Sequence, residues 1–164
     1  MSYIFYNCSN LVYINFTNTN KIYLKEMECM FHYCNNLIYL DLISFDTSNV
    51  TNMNNVFDGC YSINKIENMF LVESMNATFA CLHSITSLDL SNLILSNNSI
   101  NTRSMFYHSY KIKNIIFSQL NVLKSNNMKY MFYKCYNLKS LNLNGFDTSL
   151  VKTMEYMFYS CKQL

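Results

Sequence analysis

Seven cysteines, three histidines and ten carboxylates are the side chains here with the most chemistry to offer. Their spacing decides what they can do. Cys8, Cys34, Cys60, Cys135 and Cys161 recur at one position of a repeating unit, but two other units place Leu82 and Ser109 there. A ladder of thiolates could hold metal or form disulfides; a leucine in the same position supports neither. No C-x-x-C pair and no clustered Cys/His spacing occurs, so zinc is not expected. The column instead reads as small buried hydrophobes, reduced and inert. Cys29 and Cys81 lie off it. His32, His83 and His108 sit at different positions of three units, and no Ser-His-Asp or Cys-His arrangement converges. No phosphate loop is present. The expectation is no catalytic residue, no cofactor, no metal and no enzymatic activity.

The unit that positions these residues is marked by Phe5, Phe31, Phe57, Phe79, Phe106, Phe132 and Phe158, spaced 26, 26, 22, 27, 26 and 26 residues apart. A fixed period in the twenties means stacked solenoid repeats rather than one closed core. In the second copy, Leu40 and Leu42 alternate with Tyr39 and Asp41, which reads as a short strand with the leucines inward. Asp46-Thr47-Ser48 follows as a capping loop, and Val50, Met53, Phe57 and Cys60 at spacings of 3, 4 and 3 read as one face of a helix ended by Gly59. The fold predicted is α/β: a right-handed, leucine-rich-repeat-like solenoid of about six 26-residue strand–helix repeats, with a parallel sheet on one wall. Strands are expected near Ile14, Leu40, Ile66, Leu88, Ile115 and Leu141. The third copy is four residues short and carries Asn68 where an inward leucine is expected.

Charged residues make up 13% of the chain, about half the usual share, and Pro is absent. With no Pro- or Gly-rich linker, residues 1–164 read as a single solenoid domain. The net charge of +2 predicts no nucleic-acid partner. No apolar run approaches the ~20 residues of a transmembrane helix. Neither end reads as a polar cap, so the expectation is a fragment of a longer array whose ends self-associate or fray.

The string F-x-x-C-x-x-L-x-x-L-x-L-x-x-F-D-T-S-x-V-x-x-M-x-x-M-F occurs as Phe31–Phe57, with Val56 for the last Met, and again as Phe132–Phe158. It resembles the tandem repeat of BspA-like leucine-rich-repeat surface proteins, including the Mycoplasma-type lipoprotein repeat. Phe45 and Phe146 stand where ordinary leucine-rich repeats place an asparagine. The resemblance implies a non-enzymatic protein displayed at the cell surface, binding a protein or a cell-surface glycan and linked to adhesion. The chain shows no export signal of its own, which leaves a cytoplasmic scaffold or a structural spacer as the alternative.

On the expected sheet, residues between the inward positions point out. One outward column contains Asp41, Glu67 and Asp89, and its neighbour Tyr13, Tyr39, Lys65 and Ser87. Like charges on adjacent strands repel, so folding by itself predicts no such acidic row. Tyr39, Asp41, Lys65, Glu67 and Asp89 therefore form the candidate centre of a binding patch, with Tyr13 and Ser87 at its rim. A second feature is the tyrosine strip of Tyr3, Tyr6, Tyr107, Tyr130, Tyr133, Tyr156 and Tyr159 beside the Met-Phe pairs. Tyrosine suits interfaces because its ring is apolar and its hydroxyl polar.

Overall fold

A computed structural model describes residues 1–16, 20–47, 49–67, 74–91, 100–117, 123–144 and 146–164. Ten strands occur among them: β1 (Ile22–Tyr23), β2 (Tyr39–Asp41), β3 (Phe45–Asp46), β4 (Lys65–Glu67), β5 (Ser87–Leu90), β6 (Ile100–Asn101), β7 (Asn114–Phe117), β8 (Leu123–Asn127), β9 (Ser140–Leu141) and β10 (Phe146–Asp147). All pairings are parallel. No helix forms among the described residues. The α/β strand–helix solenoid of leucine-rich-repeat type is therefore incorrect; the chain is a parallel β-solenoid.

The segment read as a helix shows why. Cys29, Phe31 and Tyr33 donate their N–H groups to the carbonyls of Asn54, Val56 and Asp58 in the next coil, at 2.9, 3.0 and 2.9 Å. Between them, Met30, His32 and Cys34 donate three residues back, to Met27, Cys29 and Phe31 at 3.0, 3.2 and 3.0 Å. An α-helix would send each N–H four residues back within the same segment. Here alternate N–H groups close β-turns and the others join coil to coil. Tandem turns of this kind need a left-handed residue at intervals. Each coil has one two residues before its marker phenylalanine and one two residues after, such as Cys29 and Tyr33 or Tyr130 and Lys134. Gly59, at φ 76°, is the one glycine among them. A side chain in that region costs about 1–2 kcal/mol, which the inter-coil bonds and the burial behind them offset.

That burial is supplied by the marker phenylalanines. Their rings stack from Phe5 to Phe158 with centroids 5.3–5.9 Å apart and planes within 13° of parallel. Phe31, Phe57, Phe79, Phe106 and Phe132 are fully buried, with Met53, Met75, Met105 and Met131 among the core residues around them. The cysteine column lies alongside and has a second use. Cys34, Cys60, Cys135 and Cys161 donate S–H to the carbonyls of Phe5, Phe31, Phe106 and Phe132, at 3.0, 3.0, 3.2 and 3.1 Å. Ser109 makes the same bond to Phe79 at 2.7 Å. All seven cysteines are free, and Cys34, Cys60 and Cys135 are buried.

Opposite the turns, β2 pairs β4, and β5, β7 and β9 form one sheet. Their inward residues Leu40, Leu88 and Ile115 are buried, and Tyr13 bridges to Tyr39 ahead of them. A third side is built from β1–β3 and β6–β8–β10, continued by parallel bridges from Glu26 through Asn52 and Ser74 to Asn101. Relative to the second repeat, the residues missing from the third fall between β4 and Ser74. No pairing of β4 with β5 occurs among the described residues, whereas the turn side runs on, with Met53, Asn55 and Phe57 donating to Ser74, Asn76 and Thr78 at 3.0, 3.0 and 3.1 Å. Asn68, Ser48 and most of the loop 97–101 lie outside the described residues.

Two substitutions at left-handed positions are expected to act in opposite directions. A Cβ on Gly59 would overlap the Tyr33 ring, which lies over it, and would meet an unfavourable φ besides. Gly59→Ala should lower stability by about 1–2 kcal/mol in urea unfolding, and Tyr33→Ala in the same chain should recover part of the loss. Ala77→Gly, at φ 52°, should instead raise stability by up to about 1 kcal/mol, because only backbone strain is removed.

Candidate binding surfaces

The sheet side brings part of the expected patch together. Register pairs Tyr39 with Lys65 and Asp41 with Glu67, and Tyr13 is bridged to Tyr39. Tyr13 is 58% exposed. The Lys65 ammonium lies 6.0 Å from the centre of the Tyr39 ring, at the outer limit of a cation–π contact. Beside these residues Tyr13, Asn15, Phe16, Tyr39, Asp41 and Ser44 line a cleft of about 150 Å³. Drug-sized ligands fill sites of about 300–1,000 Å³, so this cleft holds no more than a side chain or a single ring. Ser87 and Asp89 belong to β5, which pairs with β7, opposite Asn114 and Ile116. Strand pairing therefore does not continue the row from Asp41 and Glu67 to Asp89.

The acidic column also has a structural use that the strand pattern did not reveal. Asp41 accepts the N–H of Ile43 at 2.9 Å, Asp89 that of Ser91 at 2.8 Å, and Asn142 that of Asn144 at 3.0 Å. Each side chain closes a turn two residues on, the Asx-turn for which Asp and Asn are suited. The expectation that folding gives no reason for this column is thus corrected in part. A second column does the same before Phe57, Phe106 and Phe132: Asn52, Asn101 and Asn127 accept from Asn54, Arg103 and Lys129 at 2.9, 3.0 and 3.0 Å. The abundance of asparagine is in part turn chemistry.

The turn side carries the tyrosine strip, on turns rather than on helices. Tyr107, Tyr133 and Tyr159 stack with centroids 5.1 and 5.0 Å apart, and Tyr130 stacks on Tyr156 at 5.4 Å. Tyr130 meets Tyr133 edge-on at 5.5 Å. Tyr3 and Tyr6 lie at the opposite end, 5.8 Å apart, and do not join this stack. Lysines stand over the rings: Lys129 5.0 Å from Tyr130, Lys134 5.3 Å from Tyr133 and Lys162 5.1 Å from Tyr136. Reading the tyrosines alone missed these cations. The signal was the distribution of charge along the chain, which the net value conceals.

One cluster of reactive types also emerges from residues a repeat apart. His32 Nε2 lies 3.5 Å from Asp58 Oδ2, and both imidazole nitrogens are buried without a hydrogen-bond partner. Burial holds His32 below the ordinary imidazole value and pushes Asp58 above the usual carboxylate range, each against their mutual attraction. The Cys81 thiol is hydrogen-bonded to Asp58 and pushed up to about 12, chiefly by burial and then by that carboxylate. A thiol in this setting stays protonated, the opposite of an activated nucleophile. No group of three His, Cys, Asp or Glu residues is placed to hold a metal ion among the described residues. His83 is sandwiched between Tyr61 and Tyr110, at 4.6 and 4.4 Å.

The sequence matches the family described as Mycoplasma protein of unknown function, DUF285, over residues 1–113 and again over residues 73–164. The two matches span the chain, so the protein belongs to this family of repeat proteins. No curated protein and no solved structure matches it. The match does not extend to a BspA-like leucine-rich-repeat assignment. No helix among the described residues is long and apolar enough to cross a membrane.

Two outcomes follow. Asp41→Ala should cost about 1 kcal/mol through loss of the turn bond, while Asp41→Asn, which keeps the acceptor, should leave the urea midpoint unchanged. Burial lowers the imidazole values of His32, His83 and His108, so the unfolded chain takes up protons that the folded chain resists. Their contribution is complete above the unfolded value of about 6.5 and is lost as pH falls through it towards the folded values. Asp58, raised by burial, works in the opposite sense in more acidic solution. Stability should therefore decline between pH 7.5 and 5.5, and His83→Phe, which keeps a ring between Tyr61 and Tyr110, should make that decline shallower.

Proposed function

We propose that this chain is a non-enzymatic recognition module, displayed at the cell surface, that holds a protein or glycan partner against the sheet side of its solenoid. The reading is supported chiefly by the small cleft beside Tyr13, Tyr39 and Asp41, an aromatic and acidic recess on an exposed sheet. Its size suits one projecting side chain or one sugar ring of a larger partner. Lys65, exposed beside Tyr39, adds a cation at the edge of the recess. Aromatic residues that expose both ring and hydroxyl are favoured where partners dock. Asp89 and Ser87, on a separate sheet, are at most peripheral to it.

A second reading is a structural spacer or scaffold without a ligand of its own. The turn-closing role of Asp41 and Asp89 favours it, since that role explains acceptors in this column without a partner.

The test is binding of the purified chain to an array of cell-surface glycans and a panel of extracellular proteins. Tyr13→Ala with Tyr39→Ala should weaken a specific interaction at least tenfold at unchanged melting temperature. Asp41→Asn, which removes charge but keeps the turn, should weaken it less. Loss of binding only in variants that also unfold, or no specific binder at all, favours the spacer. Protease digestion of intact cells checks display: a protected chain would contradict it.

A further inference from the structure

Nine of the twelve Lys and Arg residues lie from Arg103 onward, against only Asp147 and Glu155 of the ten acidic residues. The net charge of +2 thus hides a basic end and an acidic remainder. In the basic end, Lys113 and Lys139 occupy adjacent coils, joined by Lys139 N–H to Lys113 O at 3.1 Å, and both are exposed. Neither forms a salt bridge among the described residues. On the turn side Lys129 pairs with Glu155, while Lys134 and Lys162 stand over tyrosine rings and form no salt bridge among the described residues. Like charges on neighbouring coils destabilise the fold, so packing alone does not call for this concentration.

We infer that the turn side of the last three coils, where Tyr107, Tyr133 and Tyr159 stack among Lys129, Lys134 and Lys162, is a docking strip for a linear anionic polysaccharide. It is separate from the sheet cleft and does not rest on that reading. Coils repeat every ~4.8 Å, so Tyr107, Tyr133 and Tyr159, at one repeat position, form a straight column along the solenoid axis, and Lys129, Lys134 and Lys162 stand beside tyrosines of these coils at three different positions. A column of phenols with ammonium groups around it suits a polymer that carries hydroxyls and anionic groups and lies along that axis. Single-stranded nucleic acid, the other linear polyanion, binds largely by stacking bases on open aromatic faces. Here Tyr133 is stacked by both Tyr107 and Tyr159, and Tyr130 meets Tyr156 and Lys129, so their faces are taken. Ring edges and charge remain to make contact, and Tyr156 and Tyr159 are each 50% exposed. Charge donors beside hydroxyl donors recognise sulfate or carboxylate on sugar.

The full chain is titrated with heparin, with an unsulfated uronate polymer, with neutral dextran and with a single-stranded oligonucleotide, at several salt concentrations. Heparin or the uronate polymer should bind and dextran should not; which of the two binds tighter assigns sulfate or carboxylate as the anion. Lys134→Gln with Lys162→Gln should weaken binding at least tenfold and flatten the salt dependence. Tyr133→Phe with Tyr159→Phe should weaken it at unchanged melting temperature, while Tyr13→Ala with Tyr39→Ala should leave it intact. Tighter binding of the oligonucleotide, equal binding of dextran, salt-sensitive self-association in place of polymer binding, or loss only in the sheet-cleft variant would each overturn the assignment.

Discussion

The row of N–H···O bonds between successive turn segments is the constraint that the rest of this solenoid obeys. Every second residue around a marker phenylalanine donates to the next coil, and this persists across the repeat that is four residues short. The sheet between β4 and β5 does not persist there among the described residues. A coil can therefore lose residues between its sheet strand and its next turn segment without losing its place in the stack. The turn side cannot lose one residue, because a shift by one would exchange donors that bond within the coil for those that bond between coils. It would also move the phenylalanine off its column. Backbone alternation and the ring stack thus enforce one register: the bonds set which residues face inward, and the rings supply the apolar contact that makes left-handed side chains tolerable.

With register held from inside, outward positions are released from it. Each coil contacts only its neighbours, so a side chain on the outer turn or sheet face can change without disturbing distant coils. Where such positions repeat in kind, they form columns at coil spacing. The tyrosine stack over Tyr107, Tyr133 and Tyr159 and the turn-closing Asx column are two such columns with different origins. The first lies among half-exposed rings that do not close the solenoid. The second satisfies backbone donors at turns beside each strand.

The period, the inward residues and the strands at Leu40, Ile66, Leu88, Ile115 and Leu141 were legible because they depend on apolar volume and alternation; Ile14 lies in no strand, and Asp46, read as part of a capping loop, lies in β3. Leu40, Met53, Phe57 and Cys60 are buried as their spacing suggested. The helix was not legible as a false one. Spacings of 3 and 4 bury one face of a helix, and they also bury one side of tandem turns. Only the sites of left-handed backbone distinguish the two, and most are filled by residues such as Tyr33, Cys81, His108 and Lys134, with Gly59, Asn7 and Asn55 giving the usual sign. Turn-closing by Asp41 was hidden for a related reason: an Asx-turn can be assigned only once the end of the strand is known. The tyrosine strip was legible as a set, but its cations were not, since Lys134 and Lys129 acquire their meaning from the rings of the adjacent residues Tyr133 and Tyr130.

The column of Asp41, Asp89 and Asn142 shows how far a structural role can explain a residue. All three accept a backbone N–H two residues on, so these three turns use an oxygen acceptor at this place. They do not require charge, because Asn142 performs the task with an amide. The cysteine column makes the same distinction from the other direction. Ser109 donates to Phe79 as Cys60 donates to Phe31, and Leu82 fills the same place without any donor, so the core accepts a small donor there but does not depend on sulfur chemistry. At the cysteines nothing remains unexplained once the donor is accounted for, since buried thiols lie far from their reactive form. At Asp41, beside Tyr39 and next in register to Glu67, the turn uses the acceptor and does not depend on the charge.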